Sequence, residues 1–240
     1  MTGPFPISDS VPLKVRFVRD AGWLRENLTD LWVPDLPVHK TIEKIADETN
    51  RVGSRPLWEG YQKIAGYPRS TTKARQPDQV RVNQEVGRFF SWLAGNRAAP
   101  QIVEIGTAFG ISGMYWLAGI GQGHLFTFDP NPDWTALARD NLNSISDRFT
   151  LTVDTFENAA PSLVPHRAID IAFIDGIHMP DVVHRQLELI RPMMKPHGLI
   201  LFDDIGFSDA MKGFWNEIAC SSDAVASATI GRRIGIIELA

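Results

Sequence analysis

The chain has a single cysteine, Cys220, in 240 residues. One thiol excludes an intrachain disulfide framework and a cysteine-based zinc site. A reducing interior suits such a sequence, and the expected location is cytoplasmic. No apolar run approaches the roughly 18 residues needed to cross a bilayer, so no membrane span is expected. The opening MTGPFPISDS has no basic stretch leading into an apolar one, so no secretory signal is read there. Positive charge is not in excess: 24 Lys and Arg stand against 28 Asp and Glu, a net charge of −4. That balance disfavours a general nucleic-acid binder, because phosphate binding wants a basic face. What is present is apolar mass. Hydrophobic residues make up 44% of the chain, enough for one large domain, or one domain with an extension.

Residues 1–80 differ in texture from residues 81–240. Prolines 4, 6, 12, 34, 37, 56, 68 and 77 break the first part into short pieces, read as a helical N-terminal extension that serves as a lid or in dimerisation. HKTIEKIADETN places Ile42, Ile45 and Ala46 on one helical face, and RPLWEGYQKIAGY reads as a second helix. In the polar loop that follows, Arg69, Lys73, Arg75 and Arg81 could hold an anion or simply be solvated. Trp23, Trp32, Trp58, Tyr61 and Tyr67 either wall a pocket or pack against the main domain.

From Gln84 the pattern becomes regular. Helical EVGRFFSWLAG has Val86, Phe89, Phe90 and Leu93 at core spacing. Short β-rich runs (QIVEI, HLFTFD, FTLTV, IDIAFID, GLILFD) then alternate with helical stretches. Parallel strands need such crossovers, so the expected fold is α/β, a Rossmann-like doubly wound sheet. The chain ends differently: AVASATI and IGIIELA are separated only by Gly231, Arg232 and Arg233. A link that short joins antiparallel strands, giving a C-terminal hairpin.

In VEIGTAFGISGMYW, Gly106 and Gly110 lack a Cβ, which permits close backbone approach at the carboxyl end of the first strand, where open α/β sheets bind ligands. Ser112 stands where it can cap the helix or bond a ligand carboxylate, and Glu104 can accept from a ligand ammonium. The spacing G-x-x-x-G-x-x-G is not the dinucleotide fingerprint, which counts against an NAD dehydrogenase. Tight strand–helix packing explains the glycines equally. Asp129 ends the second strand, where an acid grips ribose hydroxyls or merely starts a turn.

The run VNQEVGRFF, VEIGTAFGISGMYWLAG, FTFDPNPDWTALARDNL, FIDGIH and KPHGLILFDD resembles, in order, the class I S-adenosylmethionine-dependent methyltransferases, and within them the small-molecule O-methyltransferases of the catechol and caffeoyl-CoA type. The resemblance implies strand order 3-2-1-4-5-7-6 and S-adenosylmethionine as cofactor. It implies cofactor contacts from Val82, Glu104, Gly106, Thr107, Ala108, Gly110, Ser112, Asp129, Pro130 and Asp175, with Asp154, Thr155 and Phe156 around the adenine. A homodimer is a further implication. Catechol-type members carry lysine where His178 stands and asparagine where Asp204 stands; the DG-x-H with DD is more similar to metal-dependent O-methyltransferases acting on natural-product sugars.

Asp175 ends the fourth strand, and Asp203 and Asp204 end the fifth, so all three are expected to meet. Crowded carboxylates repel unless protonated or neutralised by a cation. That points to Mg²⁺, or another divalent cation, on Asp175, Asp203 and Asp204. It would favour the ionised form of an acceptor hydroxyl. His178 is the candidate base, because imidazole exchanges protons near neutrality. The alternatives are helix caps for Asp175 and Asp203 and a structural His178. The expected reaction is metal-assisted methyl transfer to a small-molecule hydroxyl. The competing readings are metal-independent N- or C-methylation and a non-catalytic module that binds the cofactor or a partner.

Overall fold

The computed structural model describes residues 10–64, 73–164 and 166–240. The extension contributes strands β1 (Ser10–Pro12), β2 (Val15–Arg19) and β3 (Trp32–Pro34), with helices α1 (Gly22–Leu28) and α2 (Pro37–Arg51). Short strands β4 (Arg55–Pro56) and β5 (Ala74–Arg75) follow. The alternating part runs α3 (Gln84–Gly95), β6 (Gln101–Ile105), α4 (Ile111–Gly119), β7 (His124–Phe128), α5 (Pro132–Asn143), β8 (Phe149–Thr152), α6 (Phe156–Leu163), β9 (Ile169–Ile174), α7 (Pro180–Ile190) and β10 (Met194–Phe202). It closes with α8 (Asp209–Ala219) and the hairpin β11 (Ala224–Ile230) and β12 (Ile234–Leu239).

The main sheet has eight strands in the order β2-β11-β12-β10-β9-β6-β7-β8. Strands β6 to β10 pair in parallel and β12 joins β10 antiparallel, so the expected order 3-2-1-4-5-7-6 is present in full. The eighth strand comes from the extension: β2 lies antiparallel to β11, with Phe17 opposite Ala228. Proline breaks had masked it, because β2 is only five residues long and alternates half-buried with exposed positions.

Both faces of the sheet are covered, as parallel strands require. On one face α3 and α4 pack with the extension. Phe90 stacks on Trp116 at 4.1 Å between ring centroids, and both meet Phe173 of β9. Leu24, Leu28, Val33 and Ile42 belong to that same cluster, so the extension shares a core with the alternating part. The opposite face is filled by Val183 and Leu187 of α7 and Met211 and Trp215 of α8. Each such side chain contributes about 1.5–3 kcal/mol when fully buried. Asn83, Asn131 and Ser208 cap α3, α5 and α8 by accepting backbone N–H bonds.

Of the α-helix expected over RPLWEGYQKIAGY, the described residues 55–64 form none. Residues 55–56 pair with β5, and only Glu59–Lys63 make a single 3₁₀ turn. Pro56 removes a donor, and the Trp58 ring folds over Gly60, where a Cβ would lie 2.2 Å from the indole. Tyr67 and Arg69 lie outside the described residues. Arg81 is held by Glu43 (3.2 Å) and Asp78 (3.1 Å), so its charge is met by carboxylates within the chain. Trp23 packs on Trp92, with the Arg97 guanidinium over its ring at 4.5 Å. No helix among the described residues is long and apolar enough to cross a membrane.

Candidate active site

The carboxyl ends of β6, β7, β9 and β10 lie side by side, because these strands are neighbours in the sheet. The β6–α4 turn is built there. Gly106 has φ of +101° and Gly110 +80°, and Ala108 between them is also left-handed at +46°. The backbone enclosure is close: a Cβ on Gly106 would lie 2.2 Å from the Asp175 carbonyl oxygen, and one on Gly110 would lie 3.2 Å from Ala138. The missing Cβ atoms are thus used for contact with neighbouring elements.

Asp129 holds this turn in shape. Its Oδ2 accepts from the Ala108 N–H and its Oδ1 from the Asn131 N–H, both at 2.8 Å. It is 5% exposed, and burial raises its pKa to about 6 against the opposing pull of those two N–H groups. Each oxygen keeps a second lone pair for a ribose hydroxyl. Pro130 follows in the same loop. Glu104 is fully buried, and its Oε2 accepts from Thr127 Oγ1 at 2.7 Å. Thr107 Oγ1 bonds the same threonine at 2.5 Å. Glu104 Oε1 is buried with no hydrogen-bond partner among the described residues. Burial raises the Glu104 pKa to about 7, while Thr127, Ser112 and Trp116 favour its charged form. Gly110, not a side chain, occupies the cap position of α4. An unpartnered buried acceptor beside an open turn fits a ligand that brings its own donor, such as an ammonium group.

Beyond β8, Thr155 caps α6 through a bond from the Asn158 N–H. Asp154 accepts from Thr155 N–H and from Asn158. Phe156 is turned into the core against Phe128 at 5.4 Å, so an adenine would meet the rim here and not that ring. Val82 is buried and borders a cavity of about 480 Å³ lined by Asp78, Arg81, Asn83, Gln84, Glu85 and Arg233. Another concavity, near Arg167 and Lys195, sits at the opposite ends of β9 and β10, away from the turn.

The acids do meet, as expected. Neither Asp175 nor Asp203 caps a helix: Met179 precedes α7 and Ser208 precedes α8. His178 lies in the loop before α7. Its Nε2 is 3.8 Å from Asp175 Oδ1 and 3.5 Å from Asp204 Oδ2. The exposed Phe207 ring stands 5.5 Å from the imidazole. Burial and the neighbouring Asp203 push the Asp175 carboxyl well above its usual range. Asp204 is raised for the same two reasons and has a left-handed backbone at φ +48°.

Arg233 was missed in the sequence. Its Nε bonds Asp203 Oδ1 at 2.6 Å, its Nη2 bonds Asp203 Oδ2, and Nε also lies 3.2 Å from Asp204 Oδ1. Burial alone would raise the Asp203 pKa, but this fork and a bond with Asp175 hold it below its usual value. The place of Arg233 follows from the strand register: β12 runs antiparallel to β10 with Gly235 opposite Phe202, which puts residue 233 across from residue 204. One ligand atom each from Asp175, His178 and Asp203 falls within 4.8 Å of the others. Two carboxylates and one imidazole lie close enough to hold a divalent cation together, with His178 standing where Asp204 was expected. One of them, Asp203, is already committed to the guanidinium.

Residues 103–205 match the family described as a methyltransferase domain. Over that stretch the chain is similar to a methyltransferase domain. A catechol O-methyltransferase of Mycobacterium tuberculosis is 29% identical over 120 residues, covering 49% of this chain and 54% of that protein. The chain thus spans about half the length of that relative. Among solved structures, the O-methyltransferase TomG from Streptomyces achromogenes, involved in tomaymycin synthesis and in complex with SAM, aligns with a TM-score of 0.60 at 16% identity, covering 86% of this chain and 91% of that one. An O-methyltransferase from Bacillus cereus in complex with SAH gives 0.58 at 16% identity, covering 86% and 92%. At these identities the structural likeness establishes the fold. The glycine turn, Asp129 and the acid cluster all fall within the matched residues, whereas Val82 and Arg233 lie outside them.

Proposed function

We propose that this protein transfers a methyl group from S-adenosylmethionine to a hydroxyl of a small molecule. The observation that carries the reading is the seating of His178 between Asp175 and Asp204, at the same strand ends as the glycine turn. S-adenosylmethionine supplies an electrophilic methyl group on a sulfonium centre. Glu104 Oε1 offers its unpartnered lone pairs to the ammonium of the methionine portion, and Asp129 offers its spare ones to the ribose. His178 takes the proton of the acceptor hydroxyl. The resulting imidazolium is stabilised by the two carboxylates that flank it. When bound, the sulfonium would supply its methyl group to the acceptor oxygen, the C–S bond breaking as the C–O bond forms and a neutral thioether remaining. Holding oxygen and methyl carbon in line is the main work of the fold.

The cavity beside Val82 and Arg233 is the reading's place for the acceptor, and Phe207 supplies an apolar wall beside His178. The named activity of the mycobacterial relative supports a hydroxyl acceptor. A natural product is the class favoured by the His178 and Asp204 variants of the motif. Exposed Trp32 and Val18 support a homodimer built on the extension, and sedimentation at single-chain mass would remove that part.

A divalent cation such as Mg²⁺ on Asp175, His178 and Asp203 is the second reading, supported by their spacing. It would polarise the acceptor oxygen. Calorimetry with S-adenosylmethionine and S-adenosylhomocysteine, followed by labelled-methyl transfer to a panel of catechols and hydroxylated natural products, tests the proposal. Binding heat and base-dependent O-methylation are expected. Absence of binding by either nucleoside sinks it. Activity that survives EDTA removes the second reading alone.

A further inference from the structure

The acid cluster already contains a cation. Arg233 enters it from the β11–β12 turn, and its position is fixed at both ends. Its backbone carbonyl accepts from the Ile205 N–H at 3.1 Å, and its Nη1 reaches the Arg81 carbonyl at 3.4 Å. The guanidinium fork then takes both oxygens of the buried Asp203 and touches one of Asp204. Arginine is suited to this: its planar donors match a carboxylate bidentately, and it keeps its charge at any working pH. A divalent ion among Asp175, His178 and Asp203 would have to share Asp203 with a fixed positive charge a bond length away from the shared oxygens.

We propose that Arg233 is the resident counter-cation of the site, filling the charge-balancing place of a divalent metal at Asp203 and Asp204, so that the wild-type protein organises its acids without one. The arrangement gives the trio one built-in positive charge and leaves Asp175 and Asp204 to face His178. It concerns which cation sits there, and so stands apart from whether methyl transfer is the reaction.

Titration with Mn²⁺, followed by its electron paramagnetic resonance signal and by calorimetry, tests this without any turnover assay. The wild-type protein is expected to show no saturable Mn²⁺ site at sub-millimolar concentration and no rise in Tm with Mg²⁺. Arg233→Gln frees Asp203 and is expected to bind Mn²⁺ at least about tenfold more tightly, since ligand charge count sets affinity. Adding Asp203→Asn to that variant should abolish the gain. Arg232→Gln, on the neighbouring exposed turn residue, should leave binding as in the wild type. Should Arg233→Gln fail to fold, Arg233→Lys, which keeps the charge but loses the fork, is expected to bind between the two. Micromolar Mn²⁺ binding by the wild-type protein overturns the proposal outright, and so does a folded Arg233→Gln that binds no better than the wild type.

Discussion

Gly106→Ala is the substitution whose cost can be worked most directly from the structure. The residue has φ of +101°, and a Cβ there would stand 2.2 Å from the Asp175 carbonyl oxygen and 2.7 Å from its carbonyl carbon. Both obstacles are backbone, so no side-chain rotation relieves the contact. Holding a non-glycine residue in that region costs about 1–3 kcal/mol. Forcing an extra carbon into a packed junction costs about 1–3 kcal/mol more. In a chain of this size each kcal/mol lowers Tm by roughly 2–4 °C, so a fall of about 4–24 °C is expected. Relief can come only by parting β6 from β9, which shifts Asp175 relative to the turn. Binding of S-adenosylhomocysteine is therefore expected to weaken along with stability. Gly121→Ala is the matched control, since a Cβ there meets nothing within 4 Å. Calorimetric unfolding of both variants with and without the nucleoside is the assay. A Gly106→Ala protein that melts within 2 °C of Gly121→Ala, the scatter expected for a surface change, refutes the close-contact account of the turn.

Four further outcomes are expected. His178→Ala should lower kcat by about 10²–10⁴ while leaving S-adenosylhomocysteine affinity intact, measured by steady-state kinetics and calorimetry. Glu104 holds a proton in the folded state that the unfolded chain releases between pH 4.5 and about 7, so wild-type stability should decline as pH rises through that window, by on the order of 3 kcal/mol at about 1.4 kcal/mol per pH unit. Glu104→Gln should flatten that decline in denaturant titrations; an unchanged slope refutes the assignment. Tyr115→Phe removes the 2.7 Å bond from the phenol to Glu43 and should cost about 1.5–3 kcal/mol in denaturant unfolding. Gly213→Ala, in an exposed stretch of α8 with open space around it, should raise stability by about 0.5–1 kcal/mol, read as a higher denaturation midpoint.

The alternating strands and helices were legible because their apolar runs are short, separated and bounded by glycine, proline and asparagine. The short link at residues 231–233 was enough to specify the hairpin. The N-terminal strand was not legible, since VRFVR is brief and its pairing partner lies far along the chain. Over residues 55–63 the apolar and aromatic content resembled a helix, but Pro56 and the folding of Trp58 over Gly60 outweighed it. In the candidate site, the meeting of Asp175, Asp203 and Asp204 followed from strand adjacency alone. Arg233 escaped notice because a turn residue carries no local mark of function. Its role depends on the β10–β12 register, which sequence periodicity does not supply. Phe156 shows the complementary limit: position in a motif run placed it near a nucleobase, while rotation about the helix start sent the ring inward.

The pairing of β2 with β11 has a consequence for how the protein comes to be made. Phe17 finds its partner at Ala228, so a segment synthesised near the start waits for one synthesised near the end. A ribosome adding about 5–20 residues per second leaves the early strand without its neighbour for roughly 10–40 seconds. Until the late hairpin emerges, that strand and the apolar side of α1 are exposed to other nascent chains. Its two exposed positions, Arg16 and Val18, alternate with half-buried ones, and the charge of Arg16 discourages pairing with another chain while the strand waits.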